Sequence, residues 1–150
     1  MEQIDLGDQI IRYDGKRTRT AYAAMKFGSA ERCGCPSCRN FVRQRSTVYP
    51  ENFRLLLDQL GIHPEKEGEI YAGGPEGSLV RYGGWFYLSG ELIQTGERMT
   101  DAGPNFQYFF RASNRPTLRA DFGAQVLALE FSTKLQWVIS QQPEWLLQND

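Results

Sequence analysis

All three cysteines of the chain lie in one short stretch, and they are its residues best suited to chemistry. Cys33, Cys35 and Cys38 follow a C-x-C-x2-C pattern, and Pro36 favours the start of a helix within it. Thiolates this close in sequence converge on one metal ion when a tight turn brings their sulfurs together. Three clustered cysteines do not resemble a secreted disulfide framework, so we expect thiols or metal ligands in a reducing cytoplasm.

Zinc is the metal that this donor set suggests, but a tetrahedral zinc site takes four ligands. The only histidine, His63, follows the second of two predicted helices. If those helices pack antiparallel, the end of the second lies near the start of the first, and His63 can complete a site with Cys33, Cys35 and Cys38. An iron–sulfur cluster is less favoured because its usual sites take four cysteines.

Two other interpretations of the cysteines stay open. Cys35-Pro-Ser-Cys38 is a C-x-x-C at a predicted helix N-terminus, where the helix dipole and free N–H groups favour a thiolate and hence redox chemistry. Against this, the chain has no predicted βαβ unit, which is the usual context of such a motif. Alternatively, the cysteines are simply small apolar side chains that pack beneath the helix.

Two short helices are predicted to position these residues. The first covers about residues 36–46, with Phe41 and Val42 facing inward and Arg39 and Arg43 in solvent. The second covers residues 51–60, and Gly61 follows it at the position where a helix commonly ends. Its apolar residues recur at the i, i+3, i+4, i+7 spacing of an amphipathic helix: Phe53, Leu56, Leu57 and Leu60.

The remaining chain reads mainly as strands and turns. Residues 78–82 and 85–88 are predicted as two strands joined through Gly83 and Gly84. Asp14-Gly15 predicts a turn after two N-terminal strands, whereas residues 16–30 fit an edge strand, a loop or two helical turns. Three glutamates alternate as they would along the water-facing side of a strand: Glu65, Glu67 and Glu69.

Length and composition indicate one domain spanning residues 1–150. The chain has 150 residues, of which 41% are hydrophobic and 23% charged, which is ordinary for a globular protein. The pattern predicts an α+β fold: a mainly antiparallel, twisted sheet arranged as a meander, with the two short helices packed on one face.

The function that this pattern favours is binding without catalysis. The sheet region is rich in aromatic residues, which can hold a protein partner or a small ligand on an exposed face. A nucleophile triad has little support, because the chain has one histidine and no G-x-S-x-G elbow. The aromatic residues concerned are Tyr82, Trp85, Phe86, Tyr87, Phe106, Tyr108, Phe109 and Phe110.

Charge gives little support for nucleic-acid or membrane binding. The formal net charge is −1, so there is no global attraction to anionic partners. Recognition of nucleic acid would depend on a basic N-terminal third, namely Arg12, Lys16, Arg17, Arg19, Arg39 and Arg43. Residues 1–6 have neither the basic nor the apolar part of a signal peptide, which again predicts a cytoplasmic protein.

Three segments together resemble a group of small bacterial proteins with no assigned activity. They are C-x-C-x2-C-R-N-F at 33–41, the helix end Leu-Gly-Ile at 60–62, and Y-G-G-W-F-Y at 82–87 with Gly90. The similarity spans about residues 8–95. It implies a bacterial cytoplasmic source, and it implies no catalytic residue.

Overall fold

The structure is a computed structural model, and it describes residues 1–113 and 119–147. Its described part contains one sheet and six helices. The strands are β1 (Glu2–Leu6), β2 (Gln9–Tyr13), β3 (Glu69–Glu76), β4 (Leu79–Gln94), β5 (Thr100–Gly103), β6 (Phe106–Ser113) and β7 (Val126–Leu135). The helices are α1 (Gly15–Ala24), α2 (Ser29–Cys33), α3 (Pro36–Val48), α4 (Glu51–Leu60), α5 (Arg119–Phe122) and α6 (Glu144–Leu147).

The sheet is antiparallel throughout and is built around the long central strand β4. Its order is β1-β2-β4-β7-β6-β5, and β3 also pairs with β4. β7 pairs along one edge of β4, while β3 and β2 share the other edge, one at each end of the strand. The predicted α+β class with a mainly antiparallel sheet is therefore confirmed.

The prediction of two separate strands at residues 78–82 and 85–88 is wrong, because both belong to β4. Gly83 and Gly84 do not form a turn but pair with Tyr71 of β3 and Phe131 of β7 respectively. A Cβ at Gly83 would overlap the Tyr71 ring, and one at Gly84 would overlap the Glu69 carbonyl oxygen. Glycine thus permits close approach of the neighbouring strand here.

Residues 15–24 form a helix, so the prediction of a turn at Asp14-Gly15 is also wrong. Asp14 is the N-cap of α1, and its side chain accepts a 3.0 Å hydrogen bond from the backbone N–H of Arg17. An aspartate satisfies the free N–H groups of a first helical turn as readily as it begins a β-turn. The sequence Asp-Gly alone does not separate the two outcomes.

Helices α3 and α4 pack on one face of the sheet, as predicted. The apolar stripe of α4 is buried in full, namely Phe53, Leu56, Leu57 and Leu60. Gly61 ends α4 with φ at 85°, and the N–H of Ile62 donates to the carbonyl of Leu57. That pattern is a glycine-terminated helix end, which satisfies the last carbonyls of the helix. In α3, Phe41 is fully buried while Arg39 and Arg43 are exposed, as the sequence predicts.

The core under these helices is aromatic. The ring of Phe131 in β7 lies within 6.5 Å, centroid to centroid, of five other rings. Those five come from both helices, the loop between them and two further strands: Phe41, Tyr49, Phe53, Phe86 and Phe106. Such rings dominate the apolar area removed from water, and edge and stacked pairs add about 0.5–1.5 kcal/mol each.

The other side of β4 is covered as well, by α1 and α5. Tyr22 of α1 and Tyr87 of β4 both pack against the Phe122 ring, with centroids 5.9 and 6.4 Å away. The Tyr22 hydroxyl donates a 2.6 Å hydrogen bond to the backbone carbonyl of Tyr87. Because both faces are covered here, residues 86–90 of β4 are buried without the alternation of a half-exposed strand.

Candidate metal centre at the start of helix α3

The three cysteines lie where two helices meet at a glycine. Cys33 ends α2, and Gly34 follows with φ at 66°, a left-handed conformation that glycine adopts without a steric penalty. Cys35 is the N-cap of α3 and Pro36 follows it in the first turn, so the predicted helix start is correct. Cys38 lies in that first turn, which brings it back beside the other two cysteines.

This turn brings the three sulfur atoms together. The Sγ atoms of Cys33, Cys35 and Cys38 all lie within 4.8 Å of one another, and the three residues are free thiols. Tetrahedral zinc with Zn–S bonds of about 2.3 Å keeps its sulfurs about 3.8 Å apart. The cluster can therefore hold a thiophilic metal ion after small side-chain adjustments.

Exposure falls along the cluster, since Cys33 is exposed, Cys35 half-buried and Cys38 buried. Burial raises the pKa of Cys38 well above its usual range, and hydrogen bonds to the other two thiols raise it further. Burial also acts to raise the pKa of Cys35, but hydrogen bonds with Ser37, the backbone of Cys38 and the two other thiols outweigh burial and lower the pKa. The Cys35 thiol is thus more readily ionised than the Cys38 thiol.

His63 lies in the loop after α4 and is not part of the sulfur cluster. Its Nδ1 accepts a 3.1 Å hydrogen bond from the backbone N–H of Glu65. Its neighbours across a shallow depression are Arg19 and Tyr22 of α1. Within residues 1–113 and 119–147, the three cysteine sulfurs form the one group of ligand atoms close enough together to share a metal ion. Neither His63 nor a carboxylate belongs to that group.

A carboxylate from the C-terminal segment lies beside the cluster, although no pattern in the sequence predicts one there. Glu144 accepts hydrogen bonds from the backbone N–H of Ser37, at 3.0 Å, and from the Ser37 hydroxyl. The same Ser37 oxygen lies 3.4 Å from Cys35 Sγ. A serine hydroxyl therefore connects the Glu144 carboxylate to a thiol of the cluster.

Tyr82 closes the inner side of the cluster. Its hydroxyl donates a 2.7 Å hydrogen bond to the Ser37 carbonyl and accepts one from the Asn40 side chain at 3.2 Å. Burial is the main cause that raises the pKa of Tyr82 to about 12, and the negative charges of Glu144, Cys38 and Cys35 add to it. The tyrosine is thus a neutral hydrogen-bonding wall for the site.

A buried ion pair positions the helix that carries Cys33. Arg45 of α3 contacts Glu67 at 3.1 Å and Glu31 at 2.5 Å, and the Glu67 side chain is fully buried. Glu67 also accepts from the backbone N–H of Ala30, at 3.1 Å, and burial raises its pKa. The expectation that Glu67 faces water is therefore wrong, because Arg45 and the start of α2 enclose it.

A cavity of about 530 Å³ opens next to the cysteine turn. Gly34 and Arg39 line one side of it, and Ile139 and Gln141 of the C-terminal segment line another. No heavy atom lies within 4 Å of the position that a Cβ on Gly34 would take. Solvent and ions can therefore reach the turn from this side.

Most of the aromatic residues suggested as a stacking platform belong to the core. Six of the eight are buried, namely Tyr82, Phe86, Tyr87, Phe106, Tyr108 and Phe110. The other two, Trp85 and Phe109, are half-buried. Tyr71 is exposed beside Trp85, with 6.3 Å between the ring centroids. A partner on an exposed face of the sheet stays a prediction, and these three side chains are the surface it would use.

Fold and site together define a class: an α+β protein whose cysteine turn can hold a metal ion. Comparison with protein-family models, with curated proteins and with solved structures found no match to this chain. No helix in the described ranges is both long enough and apolar enough to cross a membrane. The geometry of the site is therefore the basis on which a function can be inferred.

Proposed function

We propose that the protein is a zinc-binding module whose ion is held by the thiolates of Cys33, Cys35 and Cys38. The observation that carries the proposal is the convergence of three free sulfurs within 4.8 Å of one another. Thiolates select soft or borderline ions, and among the common ones zinc accepts a three-sulfur set with one further ligand of another type.

The role that follows for the ion is structural. It would join the end of α2 to the beginning of α3 across Gly34, in addition to the ion pair between Arg45 of α3 and Glu31 of α2. A five-residue helix is too short to be stable by itself. Zinc at this place would hold α2 in one orientation and would keep the cysteine turn closed.

Binding would be coupled to proton release. The thiols must ionise before they bind the metal, and the buried Cys38, whose pKa is raised, holds its proton more tightly than Cys35, whose pKa is lowered. We therefore expect the apparent zinc affinity to increase with pH. The proton of Cys38 is harder for the metal to displace than that of Cys35.

Elemental analysis of the full chain purified without chelator tests the proposal. We expect about one equivalent of zinc, and we expect Cys38→Ser to lose it. His63→Ala is the matched comparison: a loss of zinc there would restore His63 as a ligand, whereas retention agrees with its place beyond α4. Less than about a tenth of an equivalent of zinc or iron in the parent protein, with no uptake from added Zn²⁺, would exclude the metal function.

A second candidate function, thiol–disulfide exchange, is favoured by the contrast between Cys35 and Cys38. Cys35 is half-buried with a lowered pKa, while Cys38 is buried with a raised pKa. In such exchange the Cys35 thiolate attacks a substrate disulfide, which releases one substrate thiolate and forms a mixed disulfide. The Cys38 thiolate then attacks Cys35 Sγ, which releases the second substrate thiolate and leaves a Cys35–Cys38 disulfide. The fold argues against this function, because the motif is not preceded by the first strand of a βαβ unit.

Enzymatic reduction of a small disulfide separates the two candidates. A redox protein would lose this activity in Cys35→Ser, since that residue supplies the attacking thiolate. If Cys35→Ser reduces the substrate at the parent rate, the redox function is removed. The zinc proposal expects instead that added Zn²⁺ blocks alkylation of all three thiols.

A further inference from the structure

The carboxylate of Glu144 is the strongest candidate for the missing ligand of the cysteine cluster. Building on the zinc function proposed above, we propose that Glu144 supplies the fourth ligand. The ion then fastens the C-terminal segment, residues 136–147, onto the start of α3. The centre is accordingly a Cys3Glu site that takes Zn²⁺, and its metal content controls how firmly this segment is held.

The position of Glu144 is the first observation. Its carboxylate accepts from the N–H and the hydroxyl of Ser37, and Ser37 Oγ lies 3.4 Å from Cys35 Sγ. Rotation of the Glu144 side chain away from the Ser37 hydroxyl would bring a carboxylate oxygen toward the sulfurs. Carboxylate oxygen is an established zinc ligand at about 2.0–2.2 Å.

The absence of a competing cation around Glu144 is the second observation. In the described part of the chain, Glu144 has no salt bridge, and its polar contacts are the neutral donors of Ser37. The other carboxylate near the turn, Glu31, contacts the buried guanidinium of Arg45 at 2.5 Å. Glu144 can therefore exchange a neutral hydrogen bond for a metal bond, whereas Glu31 would have to give up its ion pair with the buried Arg45, which would then keep only Glu67.

The attachment of the preceding segment is the third observation. Asn40 is fully buried, and its side chain donates to the Gln136 carbonyl at 3.0 Å and accepts from the Val138 N–H at 2.7 Å. Arg39 adds a 3.1 Å hydrogen bond to the Gln141 side chain. These contacts run along α3 toward its N-terminus, so the chain is guided to the position where Glu144 reaches the cysteine turn.

The last turn of the segment is short and half-buried, and its Trp145 lies against the edge of the apolar core. α6 is only four residues long, and its Trp145 packs on Trp137 of the same segment, at 5.8 Å between ring centroids. Short elements with little buried surface open locally at a small cost in free energy unless further bonds hold them in place. A bond from Glu144 to the metal would make the order of α6 depend on the ion.

Metal binding to Glu144→Gln in the full-length protein tests the inference. A Gln amide keeps the size and hydrogen bonding of Glu but is a poor zinc ligand. We expect the Zn²⁺ affinity, measured by competition with a chromophoric chelator, to fall about 10–100-fold, the range typical when a residue supporting a metal site is lost. Glu97→Gln, an exposed carboxylate elsewhere on the surface, is the matched control and should bind like the parent.

Cobalt substitution and amide hydrogen exchange supply readouts that a purely structural role for Glu144 would not change. With Co²⁺, the sulfur-to-metal charge-transfer bands should persist in Glu144→Gln, while the d–d bands shift because one ligand has changed. Zn²⁺ should slow amide exchange in residues 136–146 of the parent at least tenfold, and should not do so in the variant.

The outcomes distinguish this inference from the zinc function itself. Equal Zn²⁺ affinity and identical Co²⁺ spectra in the parent and in Glu144→Gln would overturn the role of Glu144 and leave the three-cysteine site standing. Failure of the parent to bind Zn²⁺ or Co²⁺ would overturn both proposals. If Glu144→Gln has lowered stability without metal, Glu144→Asp serves as the second variant, since it keeps the carboxylate and should recover part of the affinity.

Discussion

Helix α3 belongs to two regions that are held together by different forces. Its Phe41 is part of the aromatic core, where rings from both helices and three strands exclude water. Its first turn, with Cys35, Ser37 and Cys38, is held by hydrogen bonds to Tyr82 and Glu144 and opens onto a cavity. The core is held by apolar contacts, whereas the turn brings together three thiols that could hold a metal ion.

This difference indicates where function resides. Aromatic burial at about 25 cal/mol per Å² specifies the fold, but leaves few polar groups free to react or bind. The cysteine turn borders the apolar core through Cys38, but its Ser37 is held by polar bonds to Tyr82 and Glu144, so a bound ion can change the turn without disturbing the sheet. Variants in the two regions should therefore respond differently to zinc.

Truncation of the core should have the largest effect on stability. Phe131→Ala removes a ring, 2% exposed, that packs against five others, and we expect a loss of about 3–5 kcal/mol in the free energy of unfolding. The measurement is urea unfolding with and without Zn²⁺. Phe27→Ala, at a ring that is 45% exposed, is the control and should change stability by less than about 0.5 kcal/mol.

The distinction between the aromatic core and the cysteine turn would be wrong if zinc compensated for the lost ring. A Phe131→Ala loss that disappears in saturating Zn²⁺ would show that the ion supports the core as well as the turn. An unchanged loss in both conditions agrees with two separable regions.

Removal of one partner from the buried ion pair should have the next largest effect. Arg45→Met leaves the fully buried Glu67 carboxylate without its cation, which we expect to cost about 3 kcal/mol. The double variant Arg45→Met/Glu67→Leu removes both charges and should recover most of that loss. Urea unfolding of the three proteins checks this, and a double variant no more stable than the single one would contradict it.

The ion pair of Arg45 and Glu67 also shows which part of the fold could not be predicted from the sequence. Arg45 falls on the apolar stripe of α3, seven residues after Cys38 and three before Val48, so a charge within a buried face was visible. Its partner was not, because Glu67 lies 22 residues later and looks like one of three alternating surface glutamates. The amphipathic helix α4, whose contacts are local in sequence, was predictable residue by residue.

The candidate site divides in the same way. The three cysteines and the helix start at Pro36 are local features, and both follow from spacing. Glu144 lies 107 residues from Ser37, and no periodicity connects them. The proposed place of His63 depended on how two helices pack, which spacing cannot determine; the structure instead puts it beside α1.

Zinc should increase the free energy of unfolding of the parent protein by less than the core substitutions decrease it, and by more than a surface substitution changes it. An ion that binds only the folded state adds about 2.7 kcal/mol at a free concentration one hundred times its Kd. We expect this gain in the parent and its disappearance in Cys38→Ser, measured as the shift of the urea midpoint on adding Zn²⁺. An equal shift in Cys38→Ser would place the ion elsewhere on the molecule.

The smallest effect that we expect is a pH dependence from Glu67. Burial raises the pKa of this carboxyl above its usual value of 4.5, in spite of the opposing charge of Arg45 and the hydrogen bond from Ala30. The folded protein then binds the proton more tightly than the unfolded chain does. This contribution to stability is fully present below about pH 4.5 and is lost as the pH rises through the raised pKa.

Unfolding of the parent and of Glu67→Gln across pH 4 to 7 isolates this contribution, since all other titrating groups are shared. The stability of the parent relative to Glu67→Gln should fall with rising pH, by no more than about 1.4 kcal/mol per pH unit, because one proton is involved. A relative stability that rises with pH would mean that Arg45 outweighs burial and holds the pKa of Glu67 down. The pair would then be a net stabilising contact, and the polar region beneath α2 would resist acid less well than the aromatic core.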